Sequence, residues 1–129
     1  MCLTTVTSKR FTTDKDLVVY KVFVTSYKNR KKIRNLFRSQ SKSIPVGILR
    51  KARVLKMFLE GDLKNTYMSG FHCFLNAQEA VNYAAAGYDV IIPCTIPKGS
   101  KVQYGYQDNI GMLIVSNQVI VQEEGWIYR

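Results

Sequence analysis

The sequence predicts a single α+β domain with a mainly antiparallel sheet of about five or six strands. Three observations lead there. Runs dense in β-branched and aromatic residues recur along the chain, LVVYKVFVT at 17–25 being the densest. Residues 77–86 alone combine a helical apolar period with start and stop signals at both ends. One well-framed helix among several strands is too little helix for alternating βαβ units.

Residues 1–16 are polar and Thr-rich and read as a lead-in with at most one short strand. Met1 before the small Cys2 is an arrangement from which the first methionine is usually removed. The freed amine of Cys2 can then act as base to its own thiol. No oxyanion motif or second catalytic group stands beside it in the sequence, so Cys2 is read as an ordinary residue. In the run at 17–25, Val18, Tyr20, Val22 and Val24 share one face, and Val19, Lys21, Phe23 and Thr25 the other. The first face is expected to meet the core, and Lys21 suggests that the second is partly solvated.

Residues 28–37 read as a possible short basic helix with Ile33, Leu36 and Phe37 as its apolar stripe. A polar break follows at 39–43, then a turn or irregular edge at Ile44-Pro45-Val46-Gly47. Residues 48–57 fit strand or helix equally, 61–63 read as loop, and 67–74 as a strand re-entering the fold.

The stretch 69–100 is the most legible: strand, helix, strand, turn. Asn76 is placed to cap the helix N-terminus, and Glu79 completes a capping-box pattern. Ala77, Ala80, Val81, Ala84 and Ala85 form one apolar face. Gly87 stands where a left-handed C-cap belongs. Residues 90–96 are an apolar strand, and Pro97-Lys98-Gly99-Ser100 ends it as a turn. A strand at 102–106 puts Tyr104 and Tyr106 on one face, and 107–111 turn the chain. Strands at 112–115 and 119–122 flank Ser116-Asn117-Gln118. The tail at 123–129 is amphipathic, with Trp126 as its anchor.

At 129 residues and 47% apolar composition, the chain can bury a real core as one domain. It has no apolar run of about 18 residues, so no membrane helix is expected. MCLTTVTSKRF lacks the apolar centre of a signal peptide, which predicts a cytoplasmic protein. Three cysteines imply no disulfide framework there. The charge is unevenly spread. Residues 28–56 hold eleven of the nineteen Lys and Arg and none of the nine acids, which leaves eight bases against nine acids, or −1, in the rest.

His72 beside Cys73 invites a nucleophile pair, but neighbours on a strand point to opposite faces. A zinc site from Cys2, His72 and Cys94 lacks CxxC or HxxxH spacing, and Cys73 and Cys94 read better as small buried hydrophobes. Gly70, Gly99 and Gly105 form no dinucleotide or phosphate-loop fingerprint. Glu60 with Asp62, and Glu123 with Glu124, offer no acid–base dyad. No cofactor is expected. Tyr27, Tyr67, Tyr104 and Tyr106 are able to stack on bases, although a core or ordinary surface role is favoured for each.

MCL at the start, DLVVYKVF at 16–23, SGFHCF at 69–74, EA at 79–80, VIIPCTIPKGS at 90–100 and IVSNQVIV at 114–121 form an ordered set. That set resembles a family of small proteins encoded by bacteriophages, prophages and gut bacteria. The resemblance leaves out the basic segment and implies a setting, phage or mobile element within a host cytoplasm, more than a mechanism. Ile96-Pro97-Lys98-Gly99 more faintly resembles the turn of ADP-ribosyltransferase-type folds. Tyr20-Lys21 then stands where such folds carry an Arg or His, and no Glu occurs between Glu79 and Glu123.

These observations support three readings. The first is a non-enzymatic accessory protein that binds an anionic partner, foremost nucleic-acid backbone, through Arg30, Lys31, Lys32, Arg34 and Arg38, extended by Arg50, Lys51 and Arg53. The second is an inhibitor that docks on an acidic host protein through the same cations. The third, implied by the transferase likeness, is a nucleotide-binding or nucleotide-sequestering protein whose cleft is lined by Tyr20, His72 and Tyr104, with Lys98 and the Gly99 N–H meeting phosphate. His72 discriminates: either it opens beside Tyr20 onto a cleft, or it packs beneath the helix with its nitrogens bonded to backbone.

Overall fold

Two short strands come first, β1 (Thr5–Val6) and β2 (Phe11–Thr12), and both pair with one later strand. The run at 17–25 then forms the nine-residue β3 (Leu17–Thr25), as its β-branched composition requires. After it come β4 (Ile33–Asn35), β5 (Leu49–Lys51), β6 (Lys56–Leu59), β7 (Asp62–Met68) and β8 (Phe71–Phe74). The helix α1 (Ala77–Tyr83) precedes β9 (Asp89–Ile96), β10 (Lys101–Gln107), β11 (Gly111–Ser116), β12 (Gln118–Val121) and β13 (Ile127–Tyr128). The computed structural model from which these are taken describes residues 3–25, 33–35, 46–52, 56–59, 62–87 and 89–129.

Among the described residues eleven strands join into one sheet along the path β1-β10-β11-β8-β3-β9-β12-β5, with β2 also on β10, β4 on β3 and β13 on β9. β6 and β7 form a separate hairpin. The paired strands are antiparallel throughout the described residues. β11 runs into β12 through Asn117 alone, yet β8, β3 and β9 lie between them in the sheet. Chain continuity therefore makes the sheet coil on itself. Asn117 ties the seam: its N–H donates to Lys101 O at 3.0 Å, and its carbonyl accepts from Ala52 N–H at 2.7 Å.

Coiling encloses one core and leaves another outside. Val19, Phe23, Ile33, Cys73, Val90, Ile92, Cys94, Ile96, Val102, Ile114, Val119 and Val121 make the first. The second, on the other face, gathers Leu3, Val22, Tyr67, Met68, Phe74, Leu113 and Val115 with Ala80 and Ala84 of α1. Each core residue buried this way contributes roughly 1.5–3 kcal/mol if it is a large aliphatic or aromatic.

Several expectations are corrected. The strands outnumber the five or six expected, because two- and three-residue strands such as β1, β4 and β13 carry no readable alternation. Residues 33–35, expected as part of a basic helix at 28–37, form strand β4 against Phe23–Thr25, with Ile33 fully buried. The rest of that expected helix lies outside the described residues. Asp62 and Leu63 belong to β7 and are not a loop, and 67–74 is two strands broken at Ser69-Gly70. On β3 both faces meet a core: Val22 lies in the outer one as expected of its face, although Val18 is 65% exposed, and the face of Val19, Phe23 and Thr25, expected to be partly solvated, is buried.

The helix begins as read: Asn76 Oδ1 accepts from Gln78 N–H at 2.7 Å and Glu79 N–H at 3.3 Å. It stops at Tyr83, short of 86, because Asp89 draws the chain away, its Oδ2 accepting from Ala85 N–H at 2.7 Å. Gly87 has the left-handed φ of +90° expected of it, but beyond the helix end and not at its cap. Glu79 leaves the capping box open and reaches β11, where its Oε2 accepts from Met112 N–H at 3.1 Å. Gly111 beside it has φ +140°, a conformation that favours glycine, and a Cβ there would displace that carboxylate.

Candidate functional site

His72 lies on β8 with its side chain on the outer face, beside Val115 of β11 and away from Cys73. It is 6% exposed. The break at Ser69-Gly70 folds β7 back so that Tyr67 meets it edge-on, ring centroids 5.6 Å apart. A single chain of hydrogen bonds results. Leu3 N–H donates to Tyr67 Oη at 3.1 Å, and Tyr67 O–H donates to His72 Nε2 at 2.8 Å. His72 Nδ1–H donates to Gly70 O at 3.1 Å. With Gly70 O able only to accept, the proton on the imidazole is assigned to Nδ1.

Burial, then the nearby Lys21 ammonium, push the His72 pKa from 6.5 down to about 4, against the raising effect of the Gly70 carbonyl. The ring is neutral at pH 7 and both nitrogens are engaged. It has no lone pair left to take a substrate proton. His72 is packed, not open to a cleft, but its cover differs from the expected one: Tyr67 of β7 lies against the ring, and only Nδ1 bonds backbone, Nε2 meeting the Tyr67 hydroxyl.

Lys21 occupies a junction. β3 pairs with β8 only at Tyr20–Phe74 and is taken over by β4 from Phe23 onward. Between those points Lys21 Nζ crosses the gap and donates to His72 O at 3.2 Å, while lying 5.8 Å from the Phe23 ring centroid. The cation thus satisfies a carbonyl that the splaying strands leave without a ladder partner.

The other residues of the expected nucleotide cleft do not converge on His72. Tyr20 shares its face of the sheet, but Tyr104 packs against the enclosed core on the opposite face. At the turn, Lys98 N–H donates to Asp16 Oδ1 at 2.7 Å and Gly99 N–H to Thr13 O at 2.9 Å. Those amides are spent within the protein, and a phosphate there would meet the Asp16 carboxylate.

The thiols of Cys73 and Cys94 are buried in the enclosed core. Desolvation raises Cys73 to about 11 and raises Cys94 as well, so both stay protonated at neutral pH and unreactive. Among the described residues no group of three His, Cys, Asp or Glu is placed to hold a metal ion. Cys2 lies outside them, as do Tyr27, Arg30, Lys31, Lys32, Arg38 and Arg53. Arg34 falls on β4. Arg50 and Lys51 stand on β5, the last strand of the sheet path, Arg50 half-buried opposite Val119 and Lys51 exposed opposite Gln118. No helix of the described residues is long and apolar enough to cross a membrane.

Two groupings were not legible in the sequence. Tyr67, a stacking candidate by composition, is 1% exposed and belongs to the His72 chain. Reading Ser69-Gly70 as a strand break would have placed the two residues face to face. Phe11, unremarked in the sequence, stacks on Tyr104 with centroids 5.6 Å apart and planes 29° apart. Comparison with family models, curated proteins and solved structures finds no match for this chain.

Proposed function

We infer that the chain is a non-enzymatic accessory protein of a phage or mobile element that binds nucleic-acid backbone through its basic segment. One observation carries this reading: residues 28–56 hold eleven Lys and Arg without one acid. So many uncompensated cations repel one another, and a polyanion relieves that repulsion while releasing its own counterions. Lys51 is exposed on β5, the last strand of the sheet path. The packed state of His72 and the neutral thiols favour binding over catalysis.

Binding of labelled duplex and single-stranded DNA or RNA, measured across salt concentrations, tests this. Affinity should fall steeply, each phosphate contact adding roughly 0.7–0.9 to the log–log slope. Absence of binding at about 50 mM salt, the low end of the range over which such contacts act, removes the reading. A nuclease-treated pull-down that retains one acidic host protein would transfer the basic segment to a protein partner instead.

A further inference from the structure

We propose that the face of β10 carrying Phe11, Tyr104 and Tyr106 is a stacking platform for single-stranded nucleic acid, which rests on the nucleic-acid reading above and adds a second, base-contacting surface to it. Tyr104 and Tyr106 are alternate residues of β10 and point to the same face. Phe11 joins them from β2, whose register sets it opposite Val102 on that face. Its ring lies nearly parallel to that of Tyr104. The row is not sealed in the core: Phe11 is 41% and Tyr106 37% exposed, and Tyr104 is half-buried. Phe11 and Tyr106, exposed on either side of a Tyr104 that packs on the enclosed core, leave apolar ring surface in water.

Charge and spacing select the occupant. The segment between β1 and β2 is pinned beside Tyr104: Thr7 N–H donates to Tyr104 O at 3.1 Å, Tyr104 N–H to Ser8 Oγ at 2.9 Å, and Gln103 Nε2–H to Ser8 O at 3.0 Å. Two exposed cations, Lys9 and Arg10, link the pinned Ser8 to Phe11. The nearest acids in sequence are Asp14 and Asp108, and the Glu79 carboxylate reaches Met112, the register partner of Tyr106, from the helix side of the sheet. Alternate strand residues are about 7 Å apart, a separation that suits successive splayed bases. A duplex buries its base faces against each other and offers nothing to such rings, so the single strand is the ligand. Cations beside stacking rings are the arrangement by which single strands are held without sequence choice.

The test uses the full chain, fluorescently labelled oligo(dT) and oligo(U), and a duplex of equal length. Phe11→Leu and Tyr106→Leu keep apolar volume and remove the π face; Tyr106→Phe keeps the ring. Each leucine variant should lose about fivefold to a hundredfold in single-strand affinity. Duplex affinity and its salt slope should stay as in the parent chain, and Tyr106→Phe should bind like the parent. A thermal melt of each variant checks that the fold is kept. Unchanged single-strand affinity in both leucine variants, or an equal loss for duplex and single strand, overturns the platform while leaving backbone binding by the basic segment standing. No binding of any nucleic acid by the parent chain overturns both.

Discussion

The His72 chain and the Phe11–Tyr104–Tyr106 row are built from similar residues on strands of one sheet, yet they have opposite consequences. Around His72 every polar atom finds a partner, from Leu3 N–H through Tyr67 to Gly70 O. A closed network of this kind stabilises the fold and leaves the imidazole nothing to offer a ligand. Along β10 the rings of Phe11 and Tyr106 remain partly in water, so their burial is still available to a partner. Chemically suggestive residues therefore need not mark the functional surface. The only histidine is the less available group, and an unremarked phenylalanine the more available one.

Changes that break the buried side should cost most. His72→Ala removes the acceptor of the Tyr67 O–H and the donor to the Gly70 carbonyl and leaves a cavity, an expected loss of about 4 kcal/mol in urea unfolding. A loss within about 0.5 kcal/mol, the level of an ordinary surface change, would show that the network is not structural.

Acid should act on the same network. Folding lowers the His72 pKa from 6.5 to about 4, so its contribution is fully present above pH 6.5 and is lost as pH falls through 4. That linkage amounts to about 3 kcal/mol between those limits. His72→Ala should show a flatter pH–stability profile over that window, and an unchanged slope would refute the assignment.

Gly70→Ala should come next, at about 2 kcal/mol, because a Cβ there would overlap the Ser116 carbonyl and displace the acceptor of His72 Nδ1–H. A thermal midpoint equal to that of the parent chain would contradict it. On the exposed side the effect on folding should be smallest. Phe11→Leu forfeits only the ring pairing with Tyr104, about 0.5–1.5 kcal/mol. If it proved as costly as His72→Ala, the row would be core and the contrast between the two regions would vanish.

Much of the fold was legible because it is written in local patterns. The run at 17–25 is a strand by composition, and Asn76 starts a helix because its side chain reaches the amides two and three residues on. Alternation along SGFHCF separated His72 from Cys73 correctly. Where signals compete, local reading failed. Ile33, Leu36 and Phe37 have helical spacing, but Ile33–Asn35 gains a ladder on the edge of β3 that β8 vacates, and burial of Ile33 goes with it. Ala84 and Ala85 continue an apolar helical stripe, but the Asp89 carboxylate takes the Ala85 amide and ends the helix.

By itself, then, the sequence determined the class: one domain, a mainly antiparallel sheet with one clear helix, and a concentration of positive charge at 28–56. Composition, period and capping are properties of neighbours along the chain, so they survive without tertiary information. The tertiary structure decided the order of the strands and what each face meets. β11 and β12 adjoin in sequence but lie apart in the sheet, and only that coiling encloses Cys73 and Cys94 in one core. Leu3 reaches Tyr67 and Phe11 reaches Tyr104 across 64 and 93 residues of chain, through pairings that no local pattern encodes. Whether a polar or aromatic side chain is sealed or offered depends on such long-range contacts, because exposure is a property of the packed sheet and not of the residue.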